Sequence, residues 1–358
     1  MLLEFLLDYG MFFAKVATFV VAAFLIIGAI VSATQQEKSP EPGQLKISKL
    51  NDRLKSMESG IRDASTEAHT RKAQIEAERK EDKNRNKQAK KTAKKHQSSE
   101  DSEQAEKQVY VLDFNGDVRA SAVERLRQEI SGVLTLATDK DEIVVRLESP
   151  GGMVHAYGLA ASQLERIKSA GIPLTICVDK VAASGGYMMA CIADKIMAAP
   201  FAVLGSIGVV ASLPNFNRVL KKNDIDYELL TAGEYKRTLT MLGENTEEGR
   251  KKFLKDLEET HVLFKDFVAD YRPQLDIAVV ATGETWYGKR ALENQLIDEI
   301  STSDAYINGL TKEHSVYLVS YEEKKNWQDK LGLAAESAIE KSLDKLLLRS
   351  QQEWQNRH

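Results

Sequence analysis

The sequence predicts an α/β fold with largely parallel strands, preceded by an apolar N-terminal segment and a charged linker. Between residues 109 and 178, short apolar runs alternate with longer amphipathic stretches, the pattern of strands joined by right-handed helical crossovers. The turn-forming groups Asn115-Gly116 and Ser149-Pro150-Gly151-Gly152 fall where those runs end. A chain of 358 residues with 43% hydrophobic composition can also bury a sizeable core, as one large or two moderate domains.

Taken in order, residues 1–33 carry the targeting information. Residues 11–31 are apolar apart from Lys15 and Thr18, and 16–31 hold no charge, a length that suits a bilayer span better than a signal-peptide core. An uncleaved anchor is expected, with Lys15 near one end, where its stem lets the ammonium reach the interface. Gly28, Ala29 and Ser32-Ala33-Thr34 are what a cleavable signal would offer instead. Lys38, Lys46 and Lys49 follow the span while Glu4 and Asp8 precede it, so lysine and arginine counting puts the bulk of the chain in the cytoplasm.

Residues 34–107 are expected to be an amphipathic helix and a linker. Ile47, Leu50, Leu54, Met57, Ile61, Ala64 and Ala68 recur in steps of three and four, which puts them on one helical face. From about residue 77 to 108, charged and polar residues dominate. Acidic residues are interleaved and stacking aromatics are missing, which argues for a solvated linker and against nucleic-acid binding.

The folded body is expected over 108–312. It reads as strand 109–114, helix 119–136, strand 143–147, the 149–152 turn, helix 154–169, strand 173–178 and a helix opening at Ser184. Residues 196–217 form a second uncharged run, but Pro200, Gly205, Ser206, Gly208 and Pro214 suit buried strands joined by a turn, not a lipid-facing helix. Residues 246–269 read as one long helix with Thr246 as N-cap and Glu247-Glu248 in its first turn. The tail, 313–358, carries the stripe Leu331, Ala335, Ile339, Leu343, Leu346 and Leu347, which suits packing or oligomer contact.

Composition excludes several classes. The net charge of -4 points to no particular partner. Cys177 and Cys191 lie in apolar runs, read as buried thiols and fit no metal spacing. No phosphate loop or dinucleotide fingerprint is present in the sequence.

The chemistry concentrates at Val181-Ala182-Ala183-Ser184-Gly185-Gly186-Tyr187, one serine among small residues. A serine hydroxyl needs a base to become a nucleophile, and no histidine lies between His155 and His261. The best-placed candidate is Lys236. A solvated lysine has a pKa of about 10.4, so holding it neutral at pH 7 costs roughly 4 to 5 kcal/mol, which burial can remove. Leu229, Leu230, Tyr235 and Leu239 could supply such surroundings, although by periodicity alone Lys236 reads as a solvated residue beside Arg237. Ser184 likewise has a plainer reading, as the N-cap of the helix it opens. Two glycines in a first helical turn weaken a helix and are easier to justify where a backbone or substrate comes close. The glycines at 151 and 152 would let a bare N–H face a tetrahedral intermediate, and equally suit an ordinary turn.

The order Ser149-Pro150-Gly151-Gly152, helix, strand, Ala183-Ser184-Gly185-Gly186-Tyr187, Leu204-Gly205-Ser206-Ile207-Gly208 and Tyr235-Lys236 closely resembles the signal peptide peptidase A family. The resemblance implies a Clp-protease- and crotonase-like core of repeated β-β-α units. It implies Ser184 as nucleophile, Lys236 as general base and Ser206 as the hydroxyl that orients the lysine. Gly151 and Gly185 would be the oxyanion amides, with Gly152 in the same substrate-binding turn. It further implies a homo-oligomeric ring, an apolar groove and no cofactor. Substrates would be extended apolar peptides, such as remnant signal peptides or membrane protein fragments, cleaved through an acyl-enzyme at a bacterial inner membrane. Family resemblance favours the periplasmic side, against the charge count. One departure is Gln295, where the family usually has glycine.

Three other functions compete with a serine–lysine peptidase. A Clp-type triad would use a histidine, but His155 precedes Ser184 on a helix and His261 lies far downstream. A non-catalytic membrane scaffold would use the two amphipathic helices. An acyl-CoA enzyme would share only the fold.

Overall fold

Parallel strands build the body. In the computed structural model β2 (Gln108–Asn115), β3 (Glu142–Glu148), β4 (Leu174–Val178), β6 (Lys195–Ala198) and β9 (Glu299–Ile300) pair in parallel, and β10 (Ser315–Glu322) adds to β2 in the same sense. With β1 (Gln44–Lys49) beside β10, the seven-stranded order is β1-β10-β2-β3-β4-β6-β9. The structure describes residues 10–13, 15–16, 18–19, 43–65, 80 and 107–323. Most of the expected 16–31 span, most of the linker from about 77 to 108 and the tail stripe from Leu331 lie outside them. Among the described residues no helix is long and apolar enough to cross a membrane.

Side chains of a strand alternate between faces, so a sheet covered on both sides needs two apolar sets. Tyr110, Leu112, Phe114, Ile143, Val145 and Ile176 belong to the larger core, with Leu126 and Ile130 of α2 (Val123–Val133) and Leu164 and Ile167 of α3 (Val154–Ser169). Val109, Val111, Val144, Cys177, Met197 and Val316 form the second, against Leu50 of α1 (Leu50–Ser65) and Tyr306 and Leu310 of α9 (Ser303–Glu313). Burying each such Leu, Ile or Val contributes about 1.5–3 kcal/mol.

Several boundaries move. Ile47 belongs to β1, so the amphipathic helix begins only at Leu50, and Met57 and Ile61 on it are exposed. The helix expected from 119 begins at Val123, because Asp117 first closes a turn, its Oδ1 accepting from the Arg119 and Ser121 amides. Strand β10, which the sequence division leaves with the tail, pairs with β2. The uncharged run from 196 is core as expected through β6 and β7 (Val203–Gly205), whereas from Val210 onward it is exposed. Both cysteines are buried, as expected.

A second, three-stranded sheet carries the site. It has the order β5-β7-β8, with β5 (Val181–Ala183) parallel to β7 and β7 antiparallel to β8 (Thr285–Tyr287). An isolated parallel bridge between Ser149 and Ala182 joins it to the end of β3.

Candidate active site

Ser184 stands where β5 turns into α4 (Gly185–Ala190). Its N–H donates to Gly205 O at 2.8 Å, continuing the β5–β7 ladder one residue, and its φ of 52° with ψ of -120° then breaks the strand. Such a conformation costs a non-glycine residue on the order of 1–3 kcal/mol and is held only where the surroundings enforce it. The side chain makes no capping hydrogen bond, so the plain N-cap reading fails and the hydroxyl remains available. The two glycines are explained by close approach. A Cβ on Gly185 would stand 2.4 Å from Tyr157 Cγ, and one on Gly186 2.5 Å from Ser149 O.

The β5–β7 register pairs Ala183 with Gly205, which puts Ser206 next in step with Ser184. Ser206 shares the unusual backbone, with φ 51°, and its N–H donates to Glu284 O at 2.6 Å.

The 149–153 turn lies against Ser184. Gly151 has φ 88°, and a Cβ there would come within 2.7 Å of Ala183 O, Gly185 N and Ser184 Cβ. Its N–H is already engaged, donating to Ser149 Oγ at 3.1 Å. Among the described residues neither the Gly152 nor the Gly185 amide makes a hydrogen bond. Of the three amides, Gly151 N–H is therefore engaged within the turn, and Gly152 N–H and Gly185 N–H are not.

A cavity of about 340 Å³ opens at Ser184 and Gly185. Val154, Met188, Val209, Leu263, Phe264 and Phe267 make its walls apolar, and Gly152, Gly158 and Ser162 keep it open. The last three wall residues lie on α6 (Glu247–Tyr271), whose Thr246 N-cap accepts from Gly249 N at 3.1 Å as the sequence predicts. The link between that helix and the site was not legible in the sequence.

Lys236 does not line this cavity. It is exposed in the single chain, as are Leu229, Leu230 and Tyr235, so the apolar surroundings expected of it are not formed within one copy. His155 is exposed, and His261 on α6 pairs through Nε2 with Ile207 O at 3.1 Å, so neither histidine is bonded to Ser184. A second cavity of about 310 Å³, at the carboxyl ends of β2, β3 and β4, is charged, with Arg146 paired to Asp113 and Asp179 bonded to Ser303. Its Cys177 thiol is pushed up to about 12, chiefly by burial, and stays protonated at neutral pH. Among the described residues no group of side chains is arranged to hold a metal.

The strained serine and the unbonded amides beside it suit attack on a carbonyl. The model for the N-terminal region of peptidase family S49 matches residues 4–164, and that for peptidase family S49 matches 166–317. The chain is a serine peptidase. It belongs to peptidase family S49. "Probable protease SohB" of Haemophilus influenzae is 51% identical over 338 residues, covering 94% of this chain and 95% of the relative. The protein of the same name from Buchnera aphidicola subsp. Schlechtendalia chinensis is 48% identical over 305 residues, covering 85% and 99%. Among solved structures, the 1510-N membrane-bound stomatin-specific protease aligns with a TM-score of 0.36 at 18% identity, over 59% of this chain and 81% of that one.

Proposed function

We propose that this protein is a membrane-anchored endopeptidase that cleaves extended apolar peptides with Ser184 as nucleophile and Lys236 as general base. The observation that carries the proposal is Ser184 itself: an uncapped hydroxyl on a strained turn, at the mouth of an apolar cavity and beside two unengaged amides. A large apolar side chain next to the scissile bond would fill the cavity. Lys236 Nζ would take the Ser184 proton as Oγ bonds to the carbonyl carbon, while Gly152 and Gly185 N–H receive the oxyanion. The C–N bond would then break as the lysine ammonium returns its proton to the leaving amine, and water would hydrolyse the acyl-enzyme. Ser206, in step with Ser184 on the neighbouring strand, would orient the lysine.

The exposure of Lys236 and its apolar neighbours supports a dyad completed between copies of the chain. Covering that loop in a homo-oligomeric ring would desolvate the lysine and favour its neutral form. The anchor at 1–33, set apart by the 34–107 segment, would hold the ring at a bacterial inner membrane. Remnant signal peptides and membrane protein fragments are the substrates such a site fits, and the family resemblance favours its periplasmic side.

The test is hydrolysis of a quenched apolar peptide by the detergent-solubilised full chain, by Ser184→Ala and by Lys236→Ala. Each variant alone should lose at least about 10³-fold in rate. Co-assembled in equal amounts, the two inactive variants should recover up to about a quarter of wild-type activity, because a site drawing one residue from each copy can receive both intact groups. No recovery would put both groups in one chain. Wild-type activity in Lys236→Ala would remove the lysine from the mechanism.

A further inference from the structure

Ser149 and Tyr157 have no part in the proton transfers above, yet both are completely buried beside Ser184 and joined by a short hydrogen bond. Ser149 Oγ and Tyr157 Oη are 2.5 Å apart, and Tyr157 Oη donates to Asp117 O at 2.8 Å. A phenol has one proton, and Asp117 O can only accept. The Ser149 proton must therefore point to Tyr157, which leaves the Ser149 oxygen to accept from Gly151 N–H. The direction of the whole chain is fixed: Gly151 N–H to Ser149 Oγ–H to Tyr157 Oη–H to Asp117 C=O. Each bond polarises the next. Burial pushes the Tyr157 hydroxyl up, against the pull of Ser149, so the phenol keeps its proton at neutral pH.

The surroundings close tightly on the two hydroxyls. A Cβ on Gly116 would stand 2.4 Å from Tyr157 Oη and 2.5 Å from Ser149 Oγ. Met153 N–H donates to Val118 O at 2.8 Å, so the far end of the turn is tied to the same segment as the relay. The Tyr157 ring also lies against Gly185, whose added Cβ would be 2.4 Å from its Cγ. One side chain thus supports both sides of the oxyanion site, the ring behind Gly185 and the hydroxyl behind the 149–153 turn.

We propose that Tyr157 and Ser149 are positioning residues: the relay withdraws the Gly151 amide into the interior and so fixes the next peptide plane with Gly152 N–H facing the reacting carbonyl. This rests on Ser184 being the nucleophile. A donor already aimed at the oxyanion needs no reorganisation during reaction, so loss of the relay should slow chemistry without weakening substrate binding.

The test compares wild type, Ser184→Ala, Tyr157→Phe, Ser149→Ala and the Tyr157→Phe/Ser149→Ala double variant in the full chain. It measures kcat, KM and melting temperature, and affinity for a peptide aldehyde, which forms a tetrahedral adduct, against an unreactive peptide of the same sequence. Tyr157→Phe keeps the ring behind Gly185 and removes only the hydroxyl. We expect its kcat to fall about tenfold, or about 1.4 kcal/mol in barrier, with KM unchanged. Aldehyde affinity should fall in parallel while the unreactive peptide binds as before. The double variant should lose no more than the larger single loss, because the relay acts as a unit. Wild-type kcat in Tyr157→Phe, or equal losses for aldehyde and unreactive peptide, would overturn the proposal while leaving Ser184 in place. Full activity in Ser184→Ala would instead remove the nucleophile, and the relay's role with it. Should Ser149→Ala fail to fold, Tyr157→Phe alone decides.

Discussion

Glu129 on α2 accepts the Tyr321 amide through Oε1 at 2.8 Å, while its Oε2 is buried with no partner. Burial pushes the carboxyl above its ordinary value, and the Tyr321 amide and Arg125 pull it down without offsetting that shift. The native state therefore binds this proton more tightly than the unfolded chain, whose glutamates titrate near about 4.3. Stability contributed here must fall as pH rises from that unfolded value through the raised native one, and the loss persists above it. Glu129→Gln keeps an acceptor for Tyr321 and removes the charge. Its urea midpoint should exceed that of wild type at pH 7 and converge with it near pH 4; a lower midpoint at pH 7 would show that the charge is stabilising. Residues of this kind are illegible in the sequence, as is Tyr157, because a partner comes from a distant segment: Tyr321 for Glu129 and Asp117 for Tyr157. Ser184 was legible because its constraint is local: the glycines that let Tyr157 and Ser149 approach follow it directly. Gln295 was visible as a departure, and its φ of 60° shows why glycine is usual at that turn, where the Leu296 amide returns to Ala291 O.

Elements with long periodic patterns are legible in the sequence. Helix α6 and helix α3 match the sequence to within a few residues, because each presents a sustained apolar stripe and α6 has a capping threonine. Strands β5, β7 and β8 have three residues each, too few for alternation to register, so the small sheet beneath the site was missed. β1 was absorbed into a helical pattern because Ile47 and Leu50 are three apart. What separates strand from helix there is Asn51, in the first turn of α1. Its Nδ2 donates to Thr311 O at 2.8 Å and His314 O at 2.9 Å, and its Oδ1 accepts from Val316 N at 2.8 Å. The side chain satisfies the C-terminal end of α9 and the start of β10 together, fastening α1 to the body. Asn51→Ala removes three hydrogen bonds and should cost about 2–3 kcal/mol in chemical denaturation. Asn51→Asp keeps the acceptor for Val316 but turns a carboxylate toward two carbonyls, so it should cost more than the alanine. Equal stability of all three proteins would mean that the clamp adds nothing beyond solvation.

At the scale of the whole molecule, the unit Leu45–Glu322 has a well-filled interior and an unusually apolar exterior on one stretch of chain. Val210 is 91% exposed and Leu230 89%, and Phe216, Val219, Ile225 and Leu229 between them are also exposed. So many exposed apolar side chains along one stretch of chain suit an interaction surface. The same stretch runs on to Lys236, which needs burial to serve as a base, so one event, the covering of this surface, would both bury the apolar side chains and desolvate the amine. Leu230→Asp separates that account from a surface that stays free. An aspartate at so exposed a position should change the stability of a single copy by no more than about 0.5 kcal/mol. Placed inside an interface it would be a buried, unpaired charge, which costs far more. The expected outcome is a particle of smaller mass by light scattering, peptide hydrolysis reduced in step with the loss of assembly, and an unaltered far-ultraviolet circular dichroism spectrum. Unchanged mass and activity would mean that Leu230 stays in water and that Lys236 is brought to Ser184 by movement of its own loop, with the surface at 210–230 left for another partner.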